Sequence, residues 1–348
     1  MLTYSLMGVL VAVFLSVILT GCRYAPQKKE LLSLNDTTVL KGLWCIVIIL
    51  VHIPESHQNR IQDLIGSFAY IGVTFFFLAS AYGLKFGIQN KKDYLKGFWK
   101  KRLPKLLIPM LIANVMLFAG KWWGKQQMPF LTDLIEIDRW VKVFLLYYGI
   151  FWSVYWLPSK TRLREGPWQD TAICLCIAAC SAGAYLLDTD NIWPTESWGF
   201  IWGILLARYM PQVQNWMDDR WFGKTVMACL MSLVLGVLYL KYKPVAFFGD
   251  YCTKILLGAA ITLLVLLLSA KFRIGNPVSR FLGTISYEIY LIHGVIIRIS
   301  GYFGWKLQSG IYVWTIILLS VLSAAAVSRI SRKAERLLGE TLLNRKHN

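Results

Sequence analysis

Long runs of apolar residues recur along this chain, and they restrict its fold more than any other feature of the sequence. Residues 2–22 and 311–328, for example, contain no charged side chain. A helix needs roughly 20 apolar residues to cross the hydrocarbon core of a bilayer. The whole chain is 56% hydrophobic and only 16% charged, whereas soluble domains carry about 25% charged residues. The sequence therefore predicts an all-α polytopic membrane protein.

The apolar runs predict about eleven transmembrane helices. Their approximate bounds are 2–22, 40–54, 66–86, 103–120, 140–157, 168–187, 197–209, 223–240, 251–270, 281–303 and 311–328. The polar stretches between them are too short for a catalytic domain, so any chemistry must take place in or at the membrane. We divide the chain into an N-terminal helix with its linker (1–30), a membrane domain (31–330) and a basic cytoplasmic tail (331–348).

Lysine and arginine are concentrated in alternate connecting segments, which predicts the orientation of the spans. With the N-terminus outside, most of the 37 basic residues fall in segments on the inner side, as the positive-inside tendency requires. These segments are 23–29, 85–105, 160–164, 208–224, 271–280 and 329–346. The net charge of +18 thus comes from loops and not from a separate basic domain, which argues against nucleic-acid binding.

The end of the first run raises a question about processing. The stretch "ILTGC" at residues 18–22 resembles a lipoprotein cleavage box with Cys22 as the lipidated residue. The residues before it include no lysine or arginine, although a signal peptide begins with a positively charged region. We therefore expect an ordinary first span and keep a cleaved lipoprotein signal as the alternative.

Ionisable side chains inside membrane spans are costly and mark functional sites by default. His52 is the first of them, eleven residues after Lys41. At about 100° and 1.5 Å per residue, the two share one helix face and lie roughly 16 Å apart along the axis. Pro54 should end or kink the helix. We expect His52 to face a cavity, and the alternative is an interfacial histidine without a function.

A second cluster of charge lies in "FWKKRLPKLLIPML", residues 98–111. Arg102 and Lys105 are three residues apart, so they share a face at the start of a helix. Pro104 is tolerated in a first turn, and Pro109 implies a kink. The cluster is either a plain stop-transfer signal or a site for an anionic ligand. We favour the anion site for Arg102 and Lys105, because cations at a helix mouth suit phosphates.

The late span 281–303 carries three ionisable residues, Glu288, His293 and Arg298. Three such groups in one span are hard to explain by packing alone. Glu288 and His293 are five residues apart, about 140° around a helix, so they should face different neighbours.

Four stretches together resemble the membrane acyltransferase family 3, which transfers acyl groups, usually acetyl, to bacterial surface sugars. They are "LKGLWCIVIILVHI", "IGVTFFFLASAYGL", "KRLPKLLIPML" and "LGTISYEIYLIHGVI". The chain departs from the family pattern at three positions, where Lys41 and Lys105 replace arginines and Ala81 replaces a glycine. The lysines lose the two-pronged geometry of a guanidinium. Because the family commonly has ten spans, the first helix here is expected to be an addition to a ten-helix core.

The resemblance implies a reaction and a set of site residues. Acetyl-CoA or another acyl-CoA would bind as co-substrate from the cytoplasm, with its phosphates near Lys41, Arg102 and Lys105. His52 would serve as general base or as a transient acyl carrier, and Glu288 would orient a histidine. Further candidates from the matching motifs and the late span are Ser80, Tyr82, Tyr287, His293 and Arg298.

The same resemblance implies the surroundings of the protein. We expect a multi-pass protein of the bacterial cytoplasmic membrane, a saccharide or glycolipid acceptor, and either an oligomer or a separate partner protein. No metal is expected, because the seven cysteines lie mostly in apolar runs and lack zinc-site spacing. The competing classes are a transporter or flippase for a polysaccharide precursor, which should show paired halves, and a scaffold in which His52 would be dispensable.

Overall fold

The computed structural model describes residues 2–26, 31–126, 128–159, 166–187 and 194–344. The predicted basic positions Lys28, Lys29, Lys160, Arg162 and Arg164 lie outside these ranges. In the described part the helices are α1 Leu2–Thr20, α2 Leu34–Val51, α3 Arg60–Gly66, α4 Ala69–Asn90, α5 Phe98–Lys125, α6 Arg139–Trp156, α7 Trp168–Leu186, α8 Trp198–Arg208, α9 Met210–Asp218, α10 Trp221–Tyr242, α11 Lys254–Lys271, α12 Pro277–Thr284, α13 Ser286–Tyr302 and α14 Ser309–Asn344.

The helical architecture confirms an all-α polytopic membrane protein. Within the described ranges, eight helices are long and apolar enough to cross a membrane, or nine if α12 and α13 form one span bent by 72°. Each of the eleven predicted runs coincides with a helix, but α6 is not among the eight and α8 has only 11 residues. The count of eleven spans therefore stays a prediction.

A two-stranded sheet ties the first helix to the later part of the chain. Strand β1 (Arg23–Tyr24) pairs antiparallel with β2 (Phe272–Arg273), and Arg23 lies opposite Arg273. The segments that follow α1 and α11 therefore lie on the same side of the bundle, as their charges predict. Helix α1 itself packs against α14, where Trp314 donates its indole N–H to the Leu6 carbonyl at 3.0 Å.

Helix α2 begins six residues earlier than the apolar pattern predicts. Ser33 and Asp36 form a capping box, in which the Ser33 hydroxyl accepts from the Asp36 amide and the Asp36 carboxylate accepts from the Ser33 amide. Such a box satisfies two of the unpaired donors of a first helical turn. The helix ends at Val51, so the predicted bounds 40–54 were wrong at both ends. His52 is the residue that caps α2 and is not inside it.

Small residues allow the central helices to touch through their backbones. At Gly42 of α2, an added Cβ would lie 2.7 Å from the Ser279 carbonyl oxygen and would meet the Gly283 backbone of α12. At Gly203 of α8, it would lie 2.8 Å from the Cβ of Ala81 in α4. Small residues at interfaces let membrane helices approach closely. These contacts hold α2 and α4 in the centre of the bundle.

The late predicted span is broken into two helices. α12 starts at a capping box of Asn276 and Ser279 and ends at Thr284, and α13 starts at Ser286 after a 72° bend. Irregular backbone at membrane depth is tolerated where it is buried in protein or lines a cavity. The bend sets the direction in which α13 carries Glu288 and His293 into the bundle.

Candidate active site

Two histidines from distant parts of the sequence meet at the end of α2. The rings of His52 and His293 have centroids 4.9 Å apart and planes at 65°, an edge contact. His52 is exposed, whereas His293 on α13 is only 4% exposed. His52 thus has an accessible side and a side that packs against the buried ring of His293. Sequence analysis singled out both residues but did not pair them.

The hydrogen bonds of the two rings define their tautomers. The Nδ1 of His52 lies 2.9 Å from the Ile48 carbonyl oxygen, and the Nδ1 of His293 lies 3.1 Å from the Ile289 carbonyl oxygen. A carbonyl oxygen only accepts, so each neutral ring must carry its proton on Nδ1. Each Nε2 then keeps its lone pair. Because Nδ1 points back along its own helix, Nε2 lies on the edge that faces away from that helix.

Lys41 lies inside α2, which is continuous from Leu34 to Val51, and the face that it shares with His52 stays a prediction. The ammonium is half-buried and near the thiol of Cys45, one turn further along. Cys45 in turn donates its S–H to the Ser286 carbonyl at 3.1 Å. No carboxylate among the described residues forms an ion pair with Lys41. A cation in that position has the capacity to bind an anion.

Arg102 is held by aromatic side chains at the start of α5. Its guanidinium donates to the Tyr94 hydroxyl at 2.6 Å and lies 5.1 Å above the ring of Tyr148. The Tyr148 hydroxyl is 2.7 Å from the Ser80 hydroxyl. The structure therefore joins two predicted positions, Arg102 and Ser80, through a tyrosine that sequence analysis missed. Lys105, by contrast, is exposed.

A continuous series of ring contacts links Arg102 to the histidine pair. The successive centroid distances are 5.8 Å for Tyr148–Phe144, 5.0 Å for Phe144–Trp140, 4.8 Å for Trp140–Tyr290, 5.6 Å for Tyr290–His293 and 4.9 Å for His293–His52. Aromatic pairs at 4.5–7 Å add about 0.5–1.5 kcal/mol each beyond burial. The series makes one rigid wall from α6 and α13. In the sequence, Tyr290 and His293 lie within the fourth motif, whereas only the aromatic content of α6 pointed to Trp140, Phe144 and Tyr148.

The remaining predicted positions have other partners. Glu288 is buried and faces Ser328 and Arg332 of α14, so the structure brings His293 and not Glu288 next to His52. The Tyr287 hydroxyl donates to the Leu106 carbonyl at 2.8 Å and ties α13 to α5. Two further predicted residues lie at the periphery: the Tyr82 ring stacks on Phe86, and the exposed Arg298 donates to the Gly294 carbonyl.

The arrangement has the elements of a group-transfer site without a metal cluster. Within the described part of the chain, no group of three or more His, Cys, Asp or Glu side chains is placed to hold a metal ion. The arrangement contains an exposed residue, His52, whose Nε2 has no hydrogen bond to any described residue, and the buried imidazole of His293 beside it. It also contains two cations, Lys41 and Arg102. An imidazole so placed can accept a proton from a hydroxyl or attack a carbonyl carbon.

Fold and candidate site together define a membrane protein whose paired histidines lie at the end of α2 in a helical bundle. A family model described as an acyltransferase domain, acyltransferase family 3, matches residues 34–329. The chain belongs to this family and is a membrane acyltransferase, which confirms the resemblance seen in the four motifs. No curated protein and no solved structure matches the chain. The match begins at the first residue of α2, and it leaves α1 outside.

Proposed function

We propose that the protein is an O-acyltransferase that moves an acyl group, acetyl in the first instance, from cytoplasmic acyl-CoA to a hydroxyl of a bacterial cell-surface or lipid-linked saccharide. Family membership supports the acyl transfer, and the motif resemblance supports the classes of donor and acceptor. In this proposal the chain lies in the bacterial cytoplasmic membrane with the N-terminus outside and the C-terminus in the cytoplasm. Its partners are membrane lipids and a second copy or an acceptor-delivering protein.

The geometry of His52 carries the proposal. The hydrogen bond from Nδ1 to the Ile48 carbonyl at 2.9 Å fixes the tautomer, in the same way that a backbone or carboxylate partner fixes a catalytic histidine elsewhere. The residue is exposed, and in this proposal its Nε2 meets the substrate. Near neutral pH an imidazole is a good base for a hydroxyl proton.

In the reaction that we propose, the acceptor oxygen attacks the thioester carbon while the His52 Nε2 takes the hydroxyl proton. The new C–O ester bond forms, the C–S bond breaks, and the proton passes from Nε2 to sulfur to release the free thiol of CoA. The alternative is that Nε2 attacks the thioester itself and carries the acyl group as an acyl-imidazole. Both routes need the same free Nε2.

Two cations support the binding of acyl-CoA. Arg102 and Lys41 lie on α5 and α2, and neither forms an ion pair with a carboxylate in the described part of the chain. Phosphate oxygens are strong acceptors for such groups. Arg102 is the stronger candidate, because its guanidinium is already oriented by Tyr94 and Tyr148. Lys41 would place a charge on the face of α2 that leads to His52.

The test is acyl transfer by the purified protein in lipid nanodiscs, supplied with radiolabelled acetyl-CoA and a bacterial envelope glycan extract. We expect His52→Gln to lower the transfer rate by about 10²-fold or more, since the amide is not basic. The matched control is His57→Gln, because His57 lies five residues further on and stacks on Tyr312 at 3.8 Å. The control should retain the wild-type rate.

Wild-type turnover that survives His52→Gln would refute the assignment of His52. A wild-type protein that transfers no label to any glycan extract would contradict the proposed donor and acceptor. Flux of a lipid-linked saccharide across proteoliposomes, in the same preparation, would then favour the flippase alternative.

A further inference from the structure

A pocket of about 360 Å³ lies between the end of α10 and the start of α11. Its lining residues are Tyr239, Lys243, Pro244, Asp250 and Lys254. The volume falls in the range of small-molecule sites, which usually combine aromatic surface with a few convergent polar groups. None of these residues belongs to the candidate active site, so the pocket is a separate place where a ligand can bind.

The pocket lysine of α11, Lys254, is held in place by a buried carboxylate. Its Nζ donates to the Glu196 Oε1 at 2.8 Å, and the Thr195 hydroxyl donates to the Glu196 Oε2 at 2.7 Å. The Glu196 side chain is 2% exposed, whereas that of Lys254 is 21% exposed. The ammonium also lies 4.8 Å from the centre of the Tyr70 ring. Because an ammonium has three N–H donors, Lys254 is fixed by the core and still has donors to offer to a ligand.

The pocket also contains an acceptor and a second cation. The Oδ1 of Asp250 accepts from the Tyr185 hydroxyl at 2.9 Å, which orients the carboxylate. Asp250 and Lys243 are both exposed, and neither forms an ion pair with another described residue. A carboxylate has several lone pairs, so one hydrogen bond leaves it able to accept more. Donors and acceptors are therefore offered together, beside the buried ring of Tyr239.

The pocket lies at the same end of the bundle as His52. The Tyr239 ring is 6.2 Å from the ring of Phe68, which follows α3. At Gly66, the last residue of α3, an added Cβ would lie 3.1 Å from the Cα of Val51, which precedes His52. The other end of α11, which leads into β2, lies about 26 Å away along the axis. A ligand in the pocket is therefore on the side of the histidine pair and far from the basic segments of the predicted inner side.

We propose that this pocket binds a saccharide unit of the acceptor, whose hydroxyls accept from Lys254 and Lys243 and donate to Asp250. The inference rests on the proposed function and gives its acceptor a binding site. A hydroxyl both donates and accepts hydrogen bonds, so a sugar suits a site that has ammonium and carboxylate groups together. The phosphates of acyl-CoA would meet the carboxylate of Asp250, and a like-charge contact of this kind is unfavourable. The apolar face of a sugar ring has the ring of Tyr239 to pack on.

Kinetics with the glycan extract as the varied substrate test the assignment. Lys243→Met and Asp250→Asn should each raise the half-saturating concentration of the extract by about tenfold, because each removes a hydrogen bond to a charged group. The KM for acetyl-CoA should change by less than about twofold. The matched control is Lys241→Met, since Lys241 is exposed, lies two residues before Lys243 and is outside the pocket lining. Equal half-saturating concentrations for the control and the pocket variants would overturn the proposal.

A second measurement does not require turnover. Reductive methylation of lysines in nanodiscs, read by mass spectrometry, reports whether the extract covers Lys243. The extract should slow methylation of Lys243 to about a tenth of the free rate at about ten times its dissociation constant. Methylation of Lys241 should not change. The same protection is expected in wild type and in His52→Gln, because neither protein needs the reaction in order to bind the glycan.

The two measurements keep the two claims apart. Protection of Lys243 in a protein that transfers no label would support the saccharide site and contradict the proposed acyl transfer. Label transfer by wild type, with Lys243 methylated equally fast in the presence and absence of the extract, would retain the proposed function and overturn the saccharide site. Because nanodisc lipid is present throughout, that second result would assign the pocket to lipid headgroups.

Discussion

A buried ion network on α4, α6, α7 and α8 offers a quantitative test of the fold. The carboxylate of Asp170 accepts from Lys85 at 2.9 Å, from Arg208 at 3.0 Å and from the Tyr155 hydroxyl at 2.5 Å. The side chains of Asp170 and Lys85 are 5% and 10% exposed, and that of Arg208 is 24% exposed. The substitution Asp170→Asn keeps the shape of the side chain and removes its charge.

The expected loss of stability follows from the exposure of each partner. Removing one member of a buried ion pair costs about 3–5 kcal/mol, because the other charge stays buried and unpaired. Arg208 is partly solvated and regains some hydration, which places the loss near the lower end, about 3 kcal/mol. A loss of that size changes the unfolding equilibrium by roughly 100-fold. Most of it arises from Lys85.

The assay is reversible unfolding of the purified protein in mixed micelles by added denaturing detergent, with the free energy of unfolding as the readout. Asp133→Asn is the matched control, because Asp133 pairs with Lys121 at 2.8 Å while both side chains are 32% exposed. Exposed pairs contribute about 0–1 kcal/mol. The double variant Asp170→Asn/Lys85→Met should recover part of the loss, since it removes the orphaned charge. If Asp170→Asn costs no more than the control, the argument from burial is refuted.

Three further predictions concern the site. Gly42→Ala should separate α2 from Gly283 in α12, lower the free energy of unfolding by about 1–3 kcal/mol and reduce the rate of acyl transfer, as measured by the two assays described above. An unchanged transfer rate would show that the close contact is dispensable. Diethyl pyrocarbonate should modify the exposed His52 much faster than the buried His293, as read by mass spectrometry, and acetyl-CoA should slow the modification of His52; equal rates at both rings would contradict their burial. Lys41→Met should raise the KM for acetyl-CoA by about tenfold with kcat nearly unchanged, and Lys41→Arg should restore it; a loss confined to kcat would exclude anion binding by Lys41.

The sequence predicts the helices well and their ends poorly. The apolar runs identify a helix at every predicted span, since crossing a bilayer requires length and apolarity that composition reveals directly. The start of α2 was missed because its first turn, near Asp36, is polar and is stabilised by a cap. The break between α12 and α13 was missed because nothing in the pattern marks a 72° bend at Ile285.

The charge pattern predicts sides of the membrane but not partners. Lys85 belongs to the basic segment 85–105 from which the orientation is predicted, yet in the structure it lies inside α4 and is paired with Asp170. A lysine at the end of an apolar run is compatible with a loop, a snorkelling side chain or a buried pair, and only the neighbouring helix decides which of these occurs.

The same difference between local sequence information and tertiary contacts applies to the candidate site. By itself the sequence determined a membrane bundle and the family of the chain, because hydropathy and short motifs are local properties. Only the tertiary structure decided that His293 meets His52 and that Glu288 faces α14. The first contact joins residues more than 200 positions apart, and the second joins two consecutive helices. Both depend on the bend before α13, and the first depends also on the close approach of α2 and α12 at Gly42, which no local pattern encodes.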